Sequence, residues 1–206
     1  MNIIYSFLIG YLIGSFPTAY ILLKRQRNID IRNAGSGNVG AMNSFEVSGS
    51  KKIGILVLTI DLLKGLLSVV LVKFFIGKDF YLIMTALNAA VLAHCFSPWI
   101  NFKGGRGLAT AGGGGLMISI PVLLTWALFW GISFIIPKNI HISNVAATLF
   151  TAALSFTPFL SMNAFSTAHP ESTIQFGLMV GTLMMIILVK HYEPMKKLVL
   201  NRNKKN

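Results

Sequence analysis

Long apolar runs, each bounded by a short polar stretch, divide the chain into pieces of membrane-spanning length. Five of them, near residues 2–23, 53–77, 80–100, 142–162 and 172–190, reach the roughly 17–25 residues that a helix needs to cross the hydrocarbon layer. Helices are expected because a spanning segment must satisfy its own backbone polar groups. A sixth apolar run, 108–136, contains Pro121. It predicts two short helices or a re-entrant hairpin, since proline removes a backbone donor from any helix it interrupts.

Composition agrees with the pattern. The 206 residues are 54% hydrophobic and only 12% charged, unlike a soluble domain or a disordered tail. The first run has no basic n-region and no small-residue cleavage site, so it is expected to be a retained span. A single domain, 1–206, is expected. The net charge of +12 would suggest nucleic acid in a soluble protein, but here the cations sit between apolar runs. Membrane proteins keep Lys and Arg on the cytoplasmic side. One threading puts fifteen of the eighteen Lys and Arg inside, Lys73 and Lys78 outside, and Lys64 within a span. The expected fold is therefore an all-α integral membrane protein, a polytopic bundle of about seven transmembrane helices, two of them short. Its N-terminus is outside, its C-terminus cytoplasmic, and the 163–171 loop outside. Nucleic acid is not an expected partner. Cys95, the single cysteine, has no intramolecular disulfide partner and reads as a buried thiol.

Two glycine-rich segments break the apolar texture. The first runs Gly35-Ser36-Gly37-Asn38-Val39-Gly40-Ala41-Met42-Asn43, and the second Lys103-Gly104-Gly105-Arg106-Gly107-Leu108-Ala109-Thr110. Glycines let successive backbone N–H groups converge on an anion, and Lys or Arg can neutralise it. Gly35-x-Gly37-x-x-Gly40 matches the dinucleotide fingerprint in form only, because no βαβ unit surrounds it. In the second loop Thr110 follows where a helix should begin, and helix starts favour anions. Gly112 to Gly115 read as a packing surface between helices.

Asp61 and Lys64 lie one turn apart inside the second span. Buried ions pair or contact substrate, and both readings stay open for Lys64. His191 follows Lys190 at the end of the last span, where it could act as a base or donate to an anion. His94 precedes the second loop, while His141 and His169 have no supporting neighbours in sequence. No cluster has metal-ligand spacing and no Ser-His-Asp arrangement is present.

In this order the pieces resemble the PlsY-type acyl-phosphate:glycerol-3-phosphate acyltransferases of bacteria. The likeness includes Tyr11-x-x-Gly14-Ser15-x-Pro17-x-x-Tyr20, the first glycine loop with Asn43, and Asp61-x-x-Lys64-Gly65. It continues through His94-x-Phe96-x-Pro98, Phe102 to Thr110, and His191. The resemblance implies an enzyme of the bacterial cytoplasmic (inner) membrane that acylates the sn-1 hydroxyl of glycerol 3-phosphate from an acyl phosphate. It implies no cofactor, and membrane lipid and the enzyme that supplies acyl phosphate as partners. Ser36, Asn38 and His191 are the expected catalytic residues. Gly35, Gly37, Gly40, Asn43, Lys64, Lys103, Gly104, Gly105, Arg106, Gly107 and Thr110 are the expected substrate and phosphate contacts. The chain departs from the family at Met42 (usually Thr), Glu46 (Arg), Arg106 (Lys), Tyr192 (basic) and Pro194 (Asn). Arg32, Lys51 and Lys52 are candidate replacements for the lost charge at position 46. The alternatives are a silent paralogue that binds lipid precursors and a transporter of small phosphorylated anions.

Overall fold

The computed structural model describes residues 1–162 and 169–203, and every regular element among them is helical. Residues 163–168 of the predicted exterior loop, and the tail residues Lys204 and Lys205, lie outside the described residues. The first apolar run forms α1 (Asn2–Ser15) and α2 (Thr18–Arg27). They part at Phe16-Pro17 because proline disfavours the α region for the residue before it. Phe16 is accordingly extended, at φ −60° and ψ 116°. A short α3 (Ala41–Ser48) lies against the start of α4 (Lys51–Phe75), which Ser50 caps by accepting from the Ile53 N–H. After these come α5 (Phe80–Cys95), α6 (Leu108–Ile118), α7 (Ile120–Ile135), α8 (Ile140–Leu154), α9 (Pro158–Met162) and α10 (Thr173–Asn203).

Among the described residues, four stretches are long and apolar enough to cross a membrane: Asn2–Arg27, Lys51–Phe75, Phe80–Ile100 and Thr173–Leu200. Helices α6, α7 and α8 are apolar but shorter. The run expected as one span over 142–162 is divided, with α8 ending at Leu154 and Pro158 opening α9. The break in the 108–136 run falls at Ser119, whose Oγ accepts from the Val122 N–H, while Pro121 sits in the first turn of α7. That is where a missing N–H does least harm. In contrast, α10 continues well past residue 190, carrying Pro194 inside it.

Small residues let the helices touch backbone to backbone. A Cβ at Gly10 or Gly14 of α1 would run into the carbonyl of Ala86 or Ala90 of α5. A Cβ at Gly65 of α4 would meet the Thr110 carbonyl of α6, and one at Gly113 would meet that of Leu62. In lipid, where apolar burial gives helices little reason to associate, such close approach supplies the dispersion that holds them together. Polar side chains then tie neighbouring helices. Asn88 donates to the Met179 carbonyl at 3.2 Å, and the rings of Phe80 and Phe176 stack at 5.6 Å. Trp126 donates to Thr148 at 3.0 Å and Trp130 to Asn144 Oδ1 at 2.8 Å. With Asn144 of α8 beside His191 of α10 and Ser155 beside Gly177, these pairings make α1, α5, α7 and α10 run one way and α8 the other. Met1 and the end of α10 therefore lie at opposite poles.

Candidate active site

The first glycine loop is closed by one side chain. Asn43, in the first turn of α3 and 1% exposed, donates through Nδ2 to the carbonyls of Ala34 (3.0 Å) and Asn38 (2.9 Å). Its Oδ1 accepts from the Ser36 N–H at 3.0 Å. Gly35 and Gly37 turn the chain around it at φ +57° and +74°, where an L side chain is strained. The Gly37 N–H goes to the Ala34 carbonyl, the Asn38 N–H to Ser36 Oγ, and the Val39 N–H to the Gly104 carbonyl. The amides of residues 36–39 are therefore spent on closing and docking the loop, where an open anion nest was expected. What the loop offers a ligand is the side chains of Ser36 and Asn38.

The second loop rests on α5. The Gly105 N–H donates to the His94 carbonyl at 3.1 Å, and a Cβ at Gly105 would meet the His94 ring. Beneath that ring lies a buried ion pair in α4, with Lys64 Nζ 2.7 Å from Asp61 Oδ1 and His94 Nδ1 3.7 Å from the same oxygen. Lys64, a candidate phosphate contact, is thus neutralised by Asp61 and supports the loop from below. Thr110 is fully buried at the α4 contact, and Lys103 is exposed on the outer side of its loop.

Side by side, the two loops form one wall of a pocket of about 310 Å³. Ser36, Gly37 and Asn38 come from the first loop, and Gly104 and Arg106 from the second. The opposite wall is one face of α10, where Lys190, Glu193, Pro194 and Lys197 follow helical spacing, and His141 of α8 completes it. Asn139 Oδ1 caps α8 by accepting from the N–H groups of His141 (2.9 Å) and Ile142 (3.2 Å). This fixes His141 in the first turn, its Nδ1 3.3 Å from Arg106 Nη1. Three cations, Arg106, Lys190 and Lys197, face one carboxylate, Glu193, so the pocket favours anions. Burial lowers the pKa of Arg106 and the Glu46 carboxylate partly restores it; the guanidinium stays charged at neutral pH. Arg32 is occupied elsewhere: its guanidinium grips Asp30 at 2.9 and 2.7 Å and lies over the Tyr20 ring. Lys51 faces a separate groove beside Met42 and Phe45.

His191 stands behind the pocket and is 1% exposed. Its Nδ1 lies 2.8 Å from the Ile187 carbonyl, which only accepts, so the ring donates there. The Nε2 lone pair is then taken by Asn144 Nδ2 at 3.2 Å, and Asn144 Oδ1 is taken by Trp130. Below the pocket an apolar groove of about 180 Å³ runs between α5, α6, α7 and α10, from Leu108 and Ile187 to Ile118 and Val180. Leu108 is two residues beyond Arg106, and Ile187 is three before Lys190. The polar and apolar cavities therefore adjoin.

A family profile described as glycerol-3-phosphate acyltransferase matches residues 4–201. The glycerol-3-phosphate acyltransferase of Ehrlichia canis is 33% identical over 206 residues, the full length of both chains. The chain belongs to the glycerol-3-phosphate acyltransferase family. The Helicobacter pylori (strain 26695) member of that name is also 33% identical, over all of this chain and 94% of its own. Two crystal structures of PlsY, an integral membrane glycerol 3-phosphate acyltransferase, share the fold. The glycerol 3-phosphate form has a TM-score of 0.77 at 28% identity, and the lysophosphatidic acid form 0.76 at 27%; each match covers 98% of this chain and 94% of the other. The helical bundle is thus that of an integral membrane acyltransferase family.

Of the residues expected in this family member's site, Ser36, Gly37, Asn38, Gly104 and Arg106 line one pocket. Gly35, Gly40 and Asn43 shape the first loop, Gly105 and Gly107 seat the second on α5, and His191 braces α8 against α10. Sequence reasoning missed His141, Glu193 and the inward face of Lys190 and Lys197. The spacing 190-193-197 was a usable signal on a continued helix, but the span was expected to end at residue 190.

Proposed function

We propose that this chain transfers a fatty acyl group from acyl phosphate to the sn-1 hydroxyl of glycerol 3-phosphate, giving lysophosphatidate and inorganic phosphate. The observation that carries the reading is the junction of a cationic pocket with an apolar groove, one helical turn apart on α10. A fatty acyl phosphate needs both, with its tail in the groove and its phosphate beside Arg106. Glycerol 3-phosphate needs only the polar half.

In this reaction the glycerol oxygen attacks the acyl carbonyl carbon and the bond from that carbon to the phosphate oxygen breaks. Phosphate leaves, and the hydroxyl proton ends on it. The donor is already activated, so no covalent enzyme nucleophile is needed. Ser36 and Asn38 hold the reactants in line, and orientation of this kind contributes roughly 7–11 kcal/mol. Arg106 offsets the charge that develops on the carbonyl and departing phosphate. His191 is not the base in this scheme, because its free lone pair is already bonded to Asn144 and it does not face the pocket.

The positive-inside rule supports a cytoplasmic location for the pole bearing Arg106, Lys190 and Lys197, with the N-terminus outside, and the proposed membrane is the bacterial inner one, as the resemblance implies. The enzyme that makes acyl phosphate is its natural neighbour there, since the donor is lipid-soluble. The test is detergent-purified protein given acyl phosphate and glycerol 3-phosphate, with phosphate and lysophosphatidate measured together, and acyl-CoA and acyl carrier protein thioesters run alongside. Equal release of both products is expected from acyl phosphate, and Arg106→Ala should abolish it. Lysophosphatidate from a thioester but not from acyl phosphate would overturn the donor assignment.

A further inference from the structure

His141 stands alone in sequence, but the fold brings it to the pocket wall against Arg106. Guanidinium nitrogens have no lone pair to offer, so in the 3.3 Å contact Arg106 Nη1 donates and His141 Nδ1 accepts. A neutral imidazole that accepts at Nδ1 carries its proton on Nε2. The ring therefore brings a donor into a cavity whose other wall holds Lys190 and Lys197. The same contact pins one arm of the guanidinium and leaves its remaining N–H groups for a fork-shaped grip on phosphate. His191 is in the opposite state, with its proton on Nδ1 and directed at the backbone. Of these two histidines, His141 is the one with an N–H to give a ligand.

We propose that His141 is a substrate-binding residue, forming with Arg106 a two-residue clamp on a substrate phosphate group. The proposal rests on the reading of the pocket as a phosphate site and adds a ligand to it. The phosphate belongs to glycerol 3-phosphate or to the acyl phosphate, and the two are separable by kinetics. The Asn139 cap gives the clamp its rigidity by holding the first turn of α8 in place.

The experiment uses the full-length protein in detergent. Binding of glycerol 3-phosphate and of inorganic phosphate is read without turnover, as the rise in thermal unfolding temperature with ligand concentration. KM for each substrate is measured beside it. His141→Ala and His141→Phe should bind roughly tenfold more weakly, as expected for losing one hydrogen bond to a charged group. His141→Gln should recover most of that loss, because an amide can both accept from Arg106 and donate to phosphate. A rise confined to one substrate's KM identifies whose phosphate is clamped. Wild-type affinity and KM values in His141→Phe would overturn the proposal. So would equal losses in all three variants together with a lowered melting temperature of the ligand-free protein, which marks a structural role. If the wild type binds phosphate yet turns nothing over, the acyltransferase reading falls and the clamp stands.

Discussion

Asn43→Asp isolates what closes the first loop, because it keeps the shape of the side chain and reverses its polarity. In the wild type, Nδ2 donates to the Ala34 and Asn38 carbonyls at 3.0 and 2.9 Å. An aspartate offers those carbonyls only oxygen. Two hydrogen bonds are lost, at about 1 kcal/mol each, and a buried charge is left facing two acceptors, for a total of about 3 kcal/mol. Loop opening should then be about 100-fold more frequent. Amide hydrogen exchange in detergent reads this directly, because the Ser36 N–H is protected by Asn43 Oδ1. Its protection should fall about 100-fold in Asn43→Asp, which still offers that N–H an oxygen, and at least as far in Asn43→Ala, which removes its acceptor along with both donated bonds. Amides in the middle of α5 should not change. If Ser36 in Asn43→Asp keeps protection within threefold of wild type, the loop is held by something else.

Three further outcomes follow from the packing and the charges. Gly65→Ala pushes a methyl into the Thr110 carbonyl, whereas Gly112→Ala meets only Leu62 Cδ2, at 3.7 Å. The first should lose about 1–3 kcal/mol of stability and the second little, so equal melting temperatures would refute the close α4–α6 contact. Asp61→Asn strands a buried Lys64 and should cost about 3–5 kcal/mol, much of which Lys64→Met recovers in the double variant; additive losses in thermal unfolding would contradict the pairing. The Asp30 carboxyl, held down to a pKa of about 2 by its hydrogen bonds to Arg32, should titrate there by carboxyl NMR and return toward 3.8 in Arg32→Gln. Because this pKa is lowered in the folded state, the pair contributes above the unfolded pKa and is lost as pH falls through the folded one. A titration midpoint near 3.8 in the wild type would break the Asp30–Arg32 assignment.

Much of the fold was legible in the sequence. Apolar runs mark the helices because lipid leaves the backbone no partner but itself. Pro17 marks a break because it holds Phe16 extended, and Pro121 marks one because a helix accommodates proline best in its first turn. The last helix was harder, since beyond residue 190 it turns polar and crosses Pro194. A hydropathy reading ends there, although the helix continues.

The chain by itself determined an all-helical membrane bundle with two glycine-rich loops, through local rules: segment length, backbone satisfaction, and the conformations open to glycine and proline. Only the tertiary structure decided which polar groups face a ligand. Asn43 spends its amide on closing a loop, Lys64 spends its charge on Asp61, and His191 spends both nitrogens on its neighbours. His141, unremarkable along the chain, meets Arg106 from 35 residues away. A donor's availability depends on what surrounds it in space, and hydrogen-bond partners distant in sequence leave no periodic trace to read.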